Sequence, residues 1–165
     1  MNRDLTTSQG SMLPSPPADQ SMLAVHLRLS RVHTLDEQLQ ALMEIIIESL
    51  GAERATLFLH DAQAGELYAR IAVGEARREI RLLTAEGVAG HVFTTAQSML
   101  APDAYESPFF NPRIDELTGF RTRSVACVPM RAVDGTIIGV AQALNKQEGV
   151  FADEDLSLLE TITAQ

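Results

Sequence analysis

Thr118-Gly-Phe-Arg-Thr122-Arg-Ser-Val-Ala-Cys127-Val-Pro-Met130, a turn at Asp134-Gly135, and then Thr136-Ile-Ile-Gly-Val140-Ala-Gln-Ala-Leu-Asn145-Lys146 set the frame of the chain. The two apolar runs, Ser124 to Pro129 and Thr136 to Leu144, have the short length and β-branched content of strands. Asp-Gly between them is a strong short-range hairpin signal, so they are expected as neighbouring antiparallel strands. Side chains alternate across a sheet, which puts Ile137, Gly139, Ala141 and Ala143 on one face of the second strand and Ile138, Val140, Gln142 and Leu144 on the other. Both faces are therefore covered, one of them by something that tolerates very small residues. Just upstream, Asn111-Pro-Arg-Ile-Asp115-Glu-Leu-Thr118-Gly-Phe-Arg-Thr122 is polar and turn-rich. It delivers hydroxyls and a carboxylate to the start of a central strand, where a small polar ligand can be held.

Outward from this hairpin, the composition narrows the class. The 165 residues suggest one domain with a sizeable core. A hydrophobic content of 45% places the chain among globular proteins. The balance of 13 basic against 22 acidic residues, a net charge of -9, disfavours binding to a phosphate backbone, and nucleic acid is not expected as a partner. No stretch has the length of a membrane span, and Met1 to Gly10 lacks the apolar segment of a signal peptide, so the expected location is cytoplasmic with no membrane partner. The single cysteine, Cys127, excludes an internal disulfide and any zinc cluster built on several thiolates; it reads as a small buried core residue.

The segment 1–19, rich in Ser, Thr and Pro, is expected to be a disordered segment or linker. In 20–34, Met22, Val25, Leu29 and Val32 recur at intervals of three and four, a stripe narrow enough for a coiled-coil seam. This helix either dimerises the protein as a signalling helix or packs on its own domain. Thr34 or Asp36 caps a second helix carrying Leu39, Leu42, Met43, Ile46 and Leu50, with Gly51 at its C-terminal end. Ala55 to His60 and Leu67 to Val73 read as a hairpin, Gly74 to Arg78 as a charged turn, and Glu79 to Leu83 as a short strand. In Glu86 to Gln97, Val88, Val92 and Phe93 share a helical face while Gly87, Ala89 and Gly90 leave the helix start open. Unpartnered amides there suit a phosphate; the alternative is that the glycines permit close packing. A final helix, Asp155 to Gln165, has carboxylates around its first turn.

Pro102-Asp103-Ala104-Tyr105, Phe110, Asp115, Thr118 through Arg123, Pro129, Ile138-Gly139-Val140 and Asn145-Lys146 together resemble a GAF domain, closest to the cyclic-nucleotide-binding branch of phosphodiesterases and cyanobacterial adenylyl cyclases. The resemblance covers roughly Asp36 to Gln165, and the domain is taken as 35–165. It implies an α+β, profilin/PAS-like fold, with a central antiparallel sheet, the first and last helices of the domain on one face, and a pocket formed by Thr84 to Arg123 on the other. It also implies pocket residues: Thr56 on the first strand, Val88 and Ala89 at the helix start, Asn111 and Asp115 in the loop, Thr118 and Thr122 before the central strand, and Gln142 on the last strand. In that setting Thr hydroxyls and amides bond ribose and phosphate, and the carboxylate accepts from a base amine. Ala72-Val73 stands where ligand-binding relatives often have Phe-Asp, and Gln142 where they have Glu. Asn145, Lys146, Phe151 and Asp155 match a structural signature in which Lys and Asp tie the last strand to the final helix. The single cysteine sets the chain apart from relatives that reduce methionine sulfoxide with several cysteines or attach bilins through one in another context.

No catalytic triad in a nucleophile-elbow context, paired-His zinc motif or P-loop is present. His60 beside Asp61 and His91 near Thr94 are the remaining acid-base candidates, and both read more readily as structural. The expectation is a non-catalytic sensor that requires no cofactor and binds a small molecule, cAMP or cGMP. It signals as a homodimer through its N-terminal helix; the alternative is a dimerisation module with an empty pocket or another small ligand.

Overall fold

A capping box opens the first helix of the domain, α1 (Leu35–Leu50): the Thr34 hydroxyl accepts from the Glu37 N–H and the Glu37 carboxylate from the Thr34 N–H. Asp36 falls inside the first turn, and Gly51 ends the helix in the left-handed region at φ 61°. The computed structural model describes Met22, Leu27, Leu29, 34–73 and 76–164, with backbone alone for 70–73 and 76–78. Met22, Leu27 and Leu29 are helical, while Val25, Val32 and the segment 1–19 lie outside the described residues.

After α1 come β1 (Ala52–Asp61), β2 (Glu66–Val73), β3 (Ala76–Leu83), α2 (Gly87–Thr95), β4 (Met99–Ala101), α3 (Arg113–Thr118), β5 (Val125–Arg131), β6 (Ile137–Lys146) and α4 (Asp153–Thr163). The six strands form one antiparallel sheet in the order β3-β2-β1-β6-β5-β4. The fold is α+β, as the family resemblance implies. Three local readings change. Arg77 and Arg78 extend β3 instead of turning, pairing with Ala72 and Ile71. Met99–Ala101 adds an edge strand, and a six-residue helix stands inside the segment that reads as a loop.

The hairpin of β5 and β6 sits inside the sheet, flanked by β4 and β1. The small residues Ala141 and Ala143 of β6 share one core with Ala126 and Val128 of β5, Ile45, Ile46 and Leu50 of α1, and Leu159 and Ile162 of α4. Gly139 has a definite reason on this face: a Cβ there would stand 2.1 Å from the Phe58 carbonyl oxygen and 2.9 Å from Met130 Cε. On the opposite face Val140 and Leu144 join Phe58, Val125, Cys127 and the α2 residues Val88, Ala89 and Val92 in a second core. The α1 and α4 helices therefore cover one face, while α2, α3 and their connections cover the other.

Candidate functional site

β-strand alternation places Arg54, Thr56 and Phe58 of β1 beside Gln142 and Leu144 of β6 on the face away from α1, through the register Arg54 to Leu144 and Thr56 to Gln142. They floor a cavity of about 60 Å³. Ile80 and Leu82 of β3 and Val125 of β5 extend the apolar floor, Gly87, Val88 and Ala89 form one wall, and Phe110 to Thr122 supplies the lid. Thr56, Val88, Ala89, Asn111, Asp115, Thr118, Thr122 and Gln142 thus all line the same cavity.

The lid owes its shape to hydrogen bonds among residues forecast to face a ligand. Asp115 is buried, and its carboxylate accepts from the Tyr105 hydroxyl at 2.9 Å and from both the N–H and the hydroxyl of Thr122 at 2.7 Å. Accepting these bonds, Asp115 acts first as a latch between α3 and the entry to β5. The same bond raises the Tyr105 pKa above its ordinary value, since the phenolate would face the carboxylate. Thr118 donates to the Ile114 carbonyl and accepts from the Phe120 N–H, finishing the short helix. Asn111 donates to the Glu86 carboxylate at 2.6 Å and accepts from the Arg113 N–H, joining the lid to the start of α2.

At the start of α2 no side chain caps the helix. The Gly90 N–H closes the first turn on the Glu86 carbonyl. The amides of Gly87, Val88 and Ala89 precede that bond, as the first N–H groups of any helix do, and two of these residues are on the cavity-side core. Close packing is also real: a Cβ on Gly90 would lie 2.6 Å from the Ala85 carbonyl carbon.

Asn145 is fully buried at φ 56°, and its side-chain oxygen accepts from the Arg123 and Ser124 N–H groups while its amide donates to Glu53 and the Arg121 carbonyl. Next to it, the Lys146 ammonium reaches Asp155 of α4 at 2.5 Å and the Leu50 carbonyl of α1 at 3.2 Å, above the Phe151 ring. Bonds to Arg123 and then Asn145 hold the Glu53 carboxyl below its ordinary range. Sequence reasoning passed over Arg54, Phe58, Leu144 and Phe120 as cavity residues. The first three carry a detectable signal, since they keep the two-residue period of Thr56 and Gln142.

The two described histidines lie against rings: His91 stacks on Phe109 with centroids 3.7 Å apart, and His60 lies against Phe93 at 4.6 Å. Burial pushes the Cys127 thiol up to about 12, a hydrogen bond with Gln142 offsetting part of the rise. Among the described residues, no cluster of three or more His, Cys, Asp or Glu side chains could hold a metal ion, and no helix is long and apolar enough to cross a membrane.

The GAF domain family model matches residues 34–165. The chain belongs to the GAF domain family. Over 139 residues it is 34% identical to a probable 3',5'-cyclic phosphodiesterase, pde-5, of Caenorhabditis elegans, an alignment covering 77% of this chain and 19% of that protein. Over 75 residues it is 43% identical to the dual 3',5'-cyclic-AMP and -GMP phosphodiesterase 11 of Drosophila melanogaster, covering 46% of this chain and 5% of that protein. The chain therefore spans about a fifth or less of these relatives. Its fold resembles the GAF domain of a phosphoenolpyruvate-protein phosphotransferase from Coxiella burnetii, with a TM-score of 0.75, 20% identity and coverage of 88% of this chain and 87% of that one. GAF domains are regulatory modules of signalling proteins, and this one is homologous to the GAF regions of phosphodiesterases.

Proposed function

We propose that this GAF domain is a cytoplasmic sensor that binds a cyclic nucleotide, cAMP or cGMP, and passes its occupancy to an output domain through the terminal helices. The observation that carries the reading is the convergence of Thr56, Gln142, the α2 residues Gly87, Val88 and Ala89 and the Asn111–Thr122 lid on one cavity with a mostly apolar lining. That is the pattern of a small-molecule site, with few polar groups fixing orientation and apolar surface supplying contact. The relationship to phosphodiesterase GAF regions narrows the ligand class.

The cavity volume adds a condition. Pockets for ligands of this size run to roughly 300–1,000 Å³, against about 60 Å³ here. Binding thus requires the lid to move outward, and the bonds of Asp115 and Asn111 are the ones to break or shift. A ligand that selects the opened lid acts on a two-state element, which is what regulation needs. The same tight cavity favours the second reading, in which the domain pairs signalling helices with its pocket filled by Phe120, Ile114 and Arg54 or takes a smaller ligand.

Calorimetric titration with cAMP and cGMP separates the two. The expected result is saturable binding that Thr56→Val combined with Gln142→Leu weakens by at least about tenfold, the effect of one or two lost hydrogen bonds. Failure of both nucleotides at millimolar concentration removes the nucleotide reading. Binding that ignores the double substitution keeps the function and moves the site elsewhere.

A further inference from the structure

The lid helix is held down by a charge. Asp115 is the one buried residue of the six in α3; Ile114 and Thr118 are half-buried, and Arg113, Glu116 and Leu117 are exposed. Apolar burial therefore does little to keep this helix over the cavity, and the grip on the Asp115 carboxylate does more. Both residues that grip it belong to the frame around the lid. Thr122 leads straight into Arg123 and Ser124, whose N–H groups are fixed by the buried Asn145 side chain. Tyr105 follows Ala104, which is fully buried and donates its N–H to the Arg123 carbonyl at 2.7 Å, three residues beyond the pairing of Ala101 in β4 with Val125 in β5. Between helix and frame stands Gly119, in the left-handed region at φ 70°.

Of the two, Tyr105 acts from outside the cavity. Thr122 is part of the lining, whereas Tyr105 is not and is 43% exposed. Its ring is placed without help from the hydroxyl, with the Arg121 guanidinium 4.4 Å from the ring centroid and the Phe110 ring at 4.8 Å. The hydroxyl donates to Asp115 at 2.9 Å, and that bond raises the phenol pKa, so the group keeps the proton it donates. The Tyr105 hydroxyl is thus a separable part: it ties a moving carboxylate to a fixed ring and touches nothing that a ligand in the cavity touches except Asp115 itself.

We infer that the Tyr105 hydroxyl is an autoinhibitory bolt on the lid: by holding Asp115, and with it α3, in the closed position, it sets the fraction of molecules whose cavity admits a ligand. The ligand side of this inference rests on the cyclic-nucleotide reading of the same cavity. Its sign follows from the cavity volume. Closed, the cavity has about 60 Å³, against roughly 300–1,000 Å³ for pockets that take such ligands. Only the open form binds, and the apparent dissociation constant is then the intrinsic one divided by the open fraction. A bond made in the closed form and lost when α3 moves away lowers that fraction, so Tyr105 weakens binding although it lies outside the cavity. A residue that merely supported the bound site would act in the opposite direction, since its loss would loosen the ligand.

Tyr105→Phe tests this in the full chain, because it keeps the ring between Arg121 and Phe110 and deletes the hydroxyl alone. The first readout needs no ligand. Hydrogen exchange across 111–122, including the Thr122 amide that donates to Asp115, is expected to speed up about three- to tenfold, the scale of one net hydrogen bond. Exchange in β1, β6 and α1 stays as it was, which shows that the variant is folded. The second readout is titration with cAMP and cGMP, by calorimetry for affinity and by stopped flow for the association rate. Whichever nucleotide binds is expected to bind about three- to tenfold more tightly to Tyr105→Phe, with the gain in the association rate. Unchanged exchange in the lid overturns the bolt. Faster exchange with unchanged or weaker nucleotide binding overturns it too, since the hydroxyl then serves the bound form. Faster exchange with neither nucleotide bound by either protein upholds the restraint on the lid and removes the nucleotide reading alone.

Discussion

Asp115 shows how one buried charge can be held without an ion pair at close range. Three donors converge on it, two from Thr122 and one from Tyr105, and hydrogen bonds to a carboxylate are shorter and stronger than those between neutral groups. Removing the acceptor leaves the Thr122 amide and hydroxyl in a buried position without a partner, and each such orphan costs about 1–3 kcal/mol. Asp115→Ala is therefore expected to lower stability by about 2–4 kcal/mol in urea unfolding and to raise hydrogen exchange across 111–122. A loss below about 0.5 kcal/mol, the usual scale of a neutral surface change, would show that water replaces the carboxylate and that the latch is weak. Thr122 illustrates the same point from the other side: it lines the cavity expected for a ligand, and its hydroxyl donates to Asp115 at 2.7 Å. Residue type and position are legible in the sequence; the bond to Asp115 is not, because a Thr hydroxyl serves a neighbour or a ligand equally well.

Among the elements, those with a long hydrophobic period were readable. The β5–β6 hairpin, the α1 stripe and the final helix follow from alternation of two and spacing of three and four, and each owes its place to the face that it buries. The elements that escaped are short or charged. Helix α3 has six residues behind Pro112, too few for a helical period to develop, and it is fixed by Asn111, Thr118 and Asp115 through bonds that span the lid. Strand β4 has three residues and exists because β5 offers it an edge. Arg77 and Arg78 read as a turn from composition, yet in the sheet their backbone pairs with β2 on an outer edge, where charged residues also deter pairing with another chain. The N-terminal stripe Met22, Val25, Leu29 and Val32 remains a dimerisation proposal. Leu29 is half-buried against the core that α1 and α4 share, while Leu27 is half exposed at 50%. Changing Val25 and Leu29 together to Glu places like charges on a seam, and light scattering is expected to report a fall from dimer to monomer mass. An unchanged mass would assign the stripe to packing on its own domain.

At the scale of the whole molecule, the cavity and the terminal helices lie on opposite faces of the sheet, so a signal has to cross it or travel around its end. A continuous set of bonds takes the second route. Thr122, held by Asp115 in the lid, is followed by Arg123 and Ser124, whose N–H groups donate to the buried Asn145 side chain; Lys146, next in the chain, holds Asp155 at the start of α4 and the Leu50 carbonyl at the end of α1. Contiguity alone does not establish coupling; the required observation is that ligand and helices bias the same two-state element. The Lys146 and Asp155 side chains are 23% and 16% exposed, so their pair is screened less than a surface pair and can carry a preference between two helix positions. Lys146→Met keeps the stem over Phe151 but deletes the charge and both hydrogen bonds. Under the cyclic-nucleotide reading, cGMP or cAMP added to the unsubstituted protein is expected to change hydrogen exchange in α1 and α4 as well as in the lid. In Lys146→Met the nucleotide still binds and still protects the lid, because Lys146 does not line the cavity, but the change in the two helices disappears. A helix response that persists in the variant would route the signal through the sheet core instead, where Ala141, Ala143 and Gly139 bring β6 directly against the helix-side packing.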